Sequence, residues 1–427
     1  MEELFKLFYD TTGVCTDTRK IEKNCLFICL KGDNFNGNEF SEKALQMGAK
    51  YVIVDEKEYK TEKNIFLVND TLKFLQKLGN YHRLQFNIPV IGITGSNGKT
   101  STKELVKIVL EKKFNVLATE GNLNNHIGVP LTLLKINKNH ELAIIEMGAN
   151  RFKDIEELCE IAEPTIGIIT NIGKAHLEGF KNFEGVLKTK TELYKALEKN
   201  NGSIIINGDD QILLKELKKD QRYITYGQNE NLDIIGVLTD LTPFVRMRWS
   251  TKNYKSELIT TQMVGKYNFY NFLAAITFGI YFKIEPKLIN EAISNYIPSN
   301  NRSQVKKTNK NTLILDCYNA NPTSMSSALE SFSMIENPNK LVIIGDMLEL
   351  GIESITEHQK ILELTEKYQL KTFTIGTIFN SLENNSENKF ENTVEAFEFL
   401  SNSNLKNYLI LLKGSRGIGL EKLESVL

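Results

Sequence analysis

Apolar positions along this chain fall into two rhythms, short unbroken runs and runs with helical spacing, and their order predicts the architecture. In the first 85 residues the runs "CLFICL" and "YVIVDE" flank the polar turn "KGDNFNGNEF". Short apolar segments bounded by glycine and asparagine read as strands, so a small α/β unit is expected there. From Pro89 to about Pro298, "PVIGIT", "ELAIIEMG", "PTIGIITNI" and "GSIIING" alternate with helix-like stretches. Strands that are apolar on both faces belong to a mainly parallel sheet covered on both sides. A third series follows, with "TLILDCYNA", "KLVIIGDM", "KTFTIGT" and "NYLILLKGS" as strands, and the asparagine-rich stretch Ser299–Asn311 marks the boundary before it. The expected units are therefore residues 1–85, 86–300 and 301–427.

Length agrees with several cores, since 427 residues exceed what one ordinary core organises. Charge changes the picture by exclusion: 52 basic side chains nearly cancel 53 acidic ones, so no net field would recruit nucleic acid or an anionic membrane. The amino terminus "MEELFKLFYDTTG" mixes acidic with apolar residues, unlike a signal peptide, and no run reaches the roughly 18 apolar residues of a membrane helix. Five scattered cysteines indicate neither a disulfide framework nor a zinc site. A cytoplasmic protein without membrane insertion is expected.

The sharpest chemistry lies in "VIGITGSNGKTSTKELV", Val90–Val106, where Pro89–Ile93 reads as a buried strand and Thr102–Leu110 as a helix. Backbone N–H groups of Gly95, Ser96, Asn97 and Gly98 can converge on one phosphate, Lys99 can reach the terminal phosphates, and the Thr100 hydroxyl can ligate magnesium. The pattern departs from the common phosphate loop in one place: Ile93 stands where its first glycine should be, with Gly92 one position early. A bound triphosphate needs magnesium, and open sheets place ligands at the carboxyl ends of their strands. Glu146, after the run Ala143–Ile145, is the natural carboxylate.

Other residues are less decided by pattern. His176 follows the strand Thr165–Thr170 onto the same edge, although magnesium does not usually select histidine. Lys190, on a helix-like run, reads locally as a solvated lysine. Asn268 and Asn271 head an apolar helix, where capping and ligand contact fit equally well. Lys413, Ser415 and Arg416 fall between a strand and an expected helix, placed either to bind a carboxylate or phosphate or to form a surface loop.

Taken in order, "TGSNGKTS", "EGNLNNHIGVPLTLL", "EMGAN", "TNIGKAHLEGF", "KTKTELY", "GKYNFYN" and Arg302 resemble the Mur ligases, across essentially the whole chain. These enzymes join amino acids or peptides to the muramyl nucleotide precursor of the bacterial cell wall. "DCYNANPTSMSSAL", "IGDMLELG" and "LLKGSRG" narrow the resemblance to the branch that adds D-alanyl-D-alanine to UDP-N-acetylmuramoyl-tripeptide. The resemblance implies a three-domain α/β architecture: a small amino-terminal domain for the UDP-muramyl substrate, a central ATPase with a mainly parallel sheet, and a Rossmann-like carboxyl-terminal domain. It implies ATP and magnesium as cofactors and a monomer. Thr18 and Arg19, in "CTDTRKI", match the uridine-nucleotide region, with Thr18 where related ligases often have serine.

By the same resemblance Glu146 and His176 become magnesium-associated, and Lys190 becomes the lysine that is carbamylated in many Mur ligases. Neutralising an ordinary lysine at pH 7 costs about 4.6 kcal/mol, so its site would have to favour the neutral amine. Ser101, Asn268, Asn271, Arg302 and Asp316 are expected to join the phosphate loop in holding ATP, and Asn319 and Asn321 to join Lys413, Ser415 and Arg416 on the substrates. Phosphoryl transfer would make an acyl phosphate for the dipeptide amine to attack. Two rivals remain at this stage: another ligase of the superfamily, such as folylpolyglutamate or cyanophycin synthetase, and a nucleotide-gated binding protein that makes no bond.

Overall fold

The structure, a computed structural model, describes residues 2–174, 177–382 and 388–427. Its first sheet has four parallel strands in the spatial order Val14–Cys15, Leu26–Ile28, Tyr51–Val54 and Ile65–Leu67. The helix Thr71–Arg83 covers one face, started by Asp70, whose carboxylate accepts from Lys73 N at 2.8 Å. Its carboxyl end passes the chain to the next domain through Arg83, which donates to the carbonyls of Ala162, Phe86 and Ile88.

The central sheet is built outward from Val90–Thr94. Leu142–Glu146 and then Val116–Ala118 lie on one side of it; Ile166–Ile169, Ser203–Asn207, Arg222–Gly227 and Ile234–Asp240 follow on the other, all parallel. Alternation explains the unbroken apolar runs. Ile91, Ile93, Ile144 and Ile168 point into a core with Leu105, Val109 and Phe272, while Val90, Ala143, Ile145 and Ile169 point into the opposite core with Leu158, Leu193 and Leu197. Beyond Ile234–Asp240 the sheet turns antiparallel through Arg246–Thr251, an extension that the alternating pattern did not predict. Its strands are half-buried and carry polar residues such as Arg246 and Arg248, so they lack the continuous apolar signal.

The third sheet runs Gln304–Lys307, Thr312–Leu315, Leu409–Lys413, Lys340–Gly345, Thr372–Ile375 and Asn388–Phe390, parallel except for its first strand. The boundary stretch adds one strand that the pattern did not predict, and one expectation is corrected. Part of the asparagine-rich boundary stretch is that antiparallel edge strand, because "QVKK" pairs with Thr312–Leu315. The strand Leu409–Lys413 is followed by two 3₁₀ segments, Arg416–Ile418 and Leu420–Ser425, instead of an α-helix; Gly419, at φ +73°, separates them.

Candidate active site

The phosphate loop leaves its strand at Thr94 and enters the helix Lys99–Leu110 through Gly98. Gly95 has φ +141° and Gly98 φ +78°, both in the region that favours glycine. At Gly98 a side chain would also meet Asn271 Oδ1 at 2.8 Å. The loop is braced from the neighbouring strand end. Thr170 Oγ1 and Asn171 Nδ2 both donate to Asn97 O, at 2.6 and 2.9 Å, and Gly173 N donates to Ser96 Oγ at 2.9 Å. Thr170 and Asn171 escaped the sequence reading because strand ends carry no signal of which loop they will meet.

Lys99 Nζ folds back onto the carbonyls of Gly95 and Ser96, at 2.7 and 3.3 Å. Burial pushes its ammonium down to about 8; Glu146 opposes that shift and the charge of Arg302 adds to it. Thr100 Oγ1 donates to Glu146 Oε1 at 3.2 Å, and Asn124 Nδ2 donates to the same oxygen at 2.8 Å. Sheet register produces this meeting, since Glu146 lies opposite Ile93 on the adjacent strand. Glu146 is 1% exposed, and its Oε2 has no hydrogen-bond partner among the described residues. A buried carboxylate oxygen beside a phosphate-loop threonine is the donor set that magnesium takes, so these residues fit the ion. Ser101 is buried in the first turn of the helix.

Lys190 ends the helix Phe183–Lys190 and is 2% exposed, which corrects its local reading as a solvated lysine. Its Nζ stands 5.7 Å from the centroid of the Phe180 ring and makes no hydrogen bond or ion pair among the described residues. Burial first, then the nearby Lys99 charge, hold its amine well below the ordinary lysine value; Asp154 and Glu192 oppose them. His176 lies outside the described residues.

Asn268 and Asn271 do not cap the helix Tyr267–Tyr281, which has no side-chain cap. Both are buried, and they bond to each other and outward. Asn271 Oδ1 accepts from Thr102 Oγ1, its Nδ2 donates to Asn268 Oδ1, and Asn268 Nδ2 donates to Val264 O. Asn321 caps the helix Pro322–Ser333 and reaches across the domain boundary, donating from Nδ2 to Asn97 Oδ1 at 2.8 Å. Asn97 Nδ2 and Arg302 Nε, two buried donors, have no partner among the described residues. Unpartnered donors and an unpartnered carboxylate oxygen gathered around one glycine loop fit an anionic ligand with its metal.

On the third domain, Lys413 Nζ donates to Asp316 Oδ2 at 2.7 Å. Ser415 is buried and its Oγ accepts from Leu348 N at 2.9 Å, while Arg416 is exposed. The Arg302 and Arg416 guanidinium groups lie 3.8 and 5.3 Å from the centroid of the Tyr318 ring. Asn319 Oδ1 accepts from Ala320 N, and Tyr318, Asn319, Ser415 and Arg416 line one recess with Leu348, Glu349 and Gly417. Thr18 and Arg19 stay apart from this cluster, on a short 3₁₀ turn of the first domain. Arg19 is highly exposed and bonds Asp17 at 2.8 Å.

Three family descriptions match consecutive parts of the chain: the Mur ligase family catalytic domain over residues 10–83, the Mur ligase middle domain over 93–279, and the Mur ligase glutamate ligase domain over 301–416. A UDP-N-acetylmuramoyl-tripeptide–D-alanyl-D-alanine ligase of Bacillus subtilis (strain 168) is 34% identical, covering 96% of this chain and 92% of its own length. The chain belongs to the Mur ligase family. Among solved structures, MurF from Acinetobacter baumannii superposes with a TM-score of 0.88 at 29% identity, covering 96% of this chain and 92% of that one. The MurF ligase from Thermotoga maritima in complex with ADP does so with a TM-score of 0.88 at 25% identity, covering 100% and 98%. The three-domain Mur ligase architecture expected from the sequence is therefore the observed one, with an ATP-dependent ligase site. Among the described residues no helix is long and apolar enough to cross a membrane.

Proposed function

We propose that this Mur ligase joins D-alanyl-D-alanine to UDP-N-acetylmuramoyl-tripeptide at the expense of ATP, giving UDP-N-acetylmuramoyl-pentapeptide, ADP and phosphate. The observation that carries the reading is the nearly full-length match to relatives bearing that ligase's name. A relative solved with ADP supports ATP as the nucleotide. Residues 1–85 hold the UDP-muramyl substrate, with Thr18 and Arg19 at the uridine-nucleotide end; residues 86–300 bind ATP, and residues 301–427 close on both. The enzyme works in the cytoplasm as a monomer.

Amide formation from a free carboxylate fails because oxide is a poor leaving group, so the tripeptide carboxylate first takes the γ-phosphoryl group from ATP. Its oxygen attacks phosphorus, the bond to the ADP oxygen breaks, and an acyl phosphate results. The dipeptide amine then attacks the carbonyl carbon, loses a proton, and phosphate departs. Thr100, Glu146 and, by resemblance, His176 would hold magnesium, which when bound would neutralise charge at the phosphate oxygens. Lys99 leaves its carbonyl partners to meet the terminal phosphates, while Asn97 and Arg302 offer their free donors to the same charge. Asn268, Asn271 and Asp316 border the nucleotide, and Asn319, Asn321, Lys413, Ser415 and Arg416 border the acceptor dipeptide and the acyl phosphate.

Lys190 is proposed to be carbamylated. Burial supports this by favouring the neutral amine, whose lone pair can add to the carbon of carbon dioxide and release a proton, turning a neutral side chain into a carbamate anion. The test of the whole reading is phosphate release by the purified protein with ATP and magnesium, supplying both substrates and then omitting each. Release that needs both, with the pentapeptide product seen by mass, is expected. Release with neither, or with glutamate as the acceptor, would overturn it.

A further inference from the structure

One line of buried polar side chains runs from the phosphate-loop helix across the domain boundary to Lys413. Thr102 Oγ1 donates to Asn271 Oδ1 at 3.1 Å, Asn271 Nδ2 to Asn268 Oδ1 at 2.9 Å, and Asn268 Nδ2 to Ser303 Oγ at 3.0 Å. Ser303 N then donates to Asp316 Oδ1 at 3.1 Å, and Asp316 Oδ2 holds Lys413 Nζ at 2.7 Å. Tyr267 stands beside the crossing point, with its hydroxyl 2.8 Å from Ser303 Oγ and 3.4 Å from Asp316 Oδ2. Thr102, Asn268, Asn271, Ser303 and Lys413 are each under a tenth exposed.

Hydrogen placement gives the line a direction. Ser303 Oγ accepts from Asn268, so its own proton is free to go to Tyr267, whose proton in turn points at the Asp316 carboxylate. Each hydroxyl in the line then has an acceptor, and the order ends on the anion that holds Lys413. The crossing is also conformationally demanding: Ser303 has φ +51° and Asn301 φ +54°, where residues other than glycine are uncommon. At the other end, Asn271 lies against Gly98 of the phosphate loop itself. Buried polar groups need partners in any fold, but nothing in that requirement makes the partners continuous from one domain's nucleotide loop to the other domain's lysine.

We propose that Ser303 and Tyr267 are positioning residues that fix Lys413 relative to the phosphate-loop helix, so that the acceptor half of the site is set in register with the nucleotide half. This rests on the reading of Lys413 as a substrate-contacting residue of the ligase. Neither Ser303 nor Tyr267 touches the reacting groups; they act through Asp316. Their loss should harm the step that needs both domains aligned and spare nucleotide binding.

The test is steady-state kinetics of pentapeptide formation by the full-length protein carrying Ser303→Ala, Tyr267→Phe or both, with ADP binding measured by calorimetry. Each single variant is expected to lower kcat about tenfold, one hydrogen bond's worth, with KM for ATP and ADP affinity unchanged within about threefold. The double variant should match the worse single variant, because both interrupt one line. Ser303→Gly, which relaxes the backbone but lacks the hydroxyl, should be as slow as Ser303→Ala. Wild-type kcat in both single variants, losses that multiply, a change confined to ATP, or full recovery in Ser303→Gly would each overturn the proposal. Lys413→Gln separates the two levels of inference. Its loss of turnover with wild-type Ser303→Ala would remove only the positioning role, whereas wild-type turnover in Lys413→Gln would remove the reading of Lys413 beneath it.

Discussion

The central and carboxyl-terminal domains each bury a lysine, Lys190 and Lys413, to the same 2% exposure, and treat it in opposite ways. Lys190 has an aromatic ring beneath its amine and no carboxylate within bonding distance among the described residues. Lys413 is paired to Asp316 at 2.7 Å, and Asp316 is itself held by Ser303 N. Burial alone therefore does not define what a lysine can do. Without a counter-charge, desolvation favours the neutral amine; with a carboxylate partner, the side chain is given a fixed place. The same contrast separates the two sides of the site. Around the phosphate loop Asn97 Nδ2, Glu146 Oε2 and Arg302 Nε have no partner among the described residues, whereas Asp316 is bonded by Ser303, Tyr267 and Lys413.

Removing the charge that meets ATP should have the largest effect. Lys99→Ala is expected to lower ATP-dependent phosphate release by at least ~10³-fold with an unchanged far-ultraviolet spectrum, because no other described side chain takes its place on the loop. Retention of a tenth of the activity would break the assignment. Next come the two buried lysines themselves. Lys190→Ala should lose on the order of 10²–10³-fold and recover in part when formate or acetate is added, since a small carboxylate can replace a carbamate. Lys413→Gln should lose on the order of 10²-fold and gain nothing from either anion. Full activity in Lys190→Ala, or equal rescue of both variants, would erase the distinction between them.

A smaller effect follows from Lys99 at about 8. The free protein loses that charge as pH rises through 8, and a triphosphate favours the charged form, so ATP affinity should be flat below pH 8 and fall above it by at most about tenfold per pH unit. Binding at pH 9 should take up a proton, visible as a calorimetric enthalpy that varies with the buffer's ionisation heat. No uptake would mean that Lys99 is not the group meeting the phosphates. Smallest is Asn321→Ala, which removes both a helix cap and the bond to Asn97. A loss of about 1 kcal/mol in urea unfolding is expected from the cap. An added severalfold rise in KM for the dipeptide would report the lost contact between domains.

Much of the fold was legible because its signals are local. "VIGITGSNGKT" carries strand, turn and helix start within eleven residues, and "LILLK" and "LVIIG" declare buried parallel strands by composition alone. Glu146 could be named because a strand end in a parallel sheet has a predictable edge. The antiparallel extension was not legible, because Ile234–Asp240 and Arg246–Thr251 are half-buried and mixed in character. Asn268 and Asn271 had the spacing of one helix face but not their purpose, since Ser303 lies 35 residues beyond Asn268. Asn124 was hidden for the same reason: its partner Glu146 is 22 residues away, and nothing beside Asn124 announces the carboxylate.

By itself the sequence determined the buried parallel strands, the phosphate loop and the motifs of the Mur ligase family, because each is written in residues adjacent along the chain. Tertiary structure alone decided that Lys190 is buried, that Glu146 keeps one oxygen without a partner among the described residues, and that Lys413 is linked through Asp316 and Ser303 to the phosphate-loop helix. Those properties depend on desolvation and on partners brought from distant segments, and neither exists until the domains have packed.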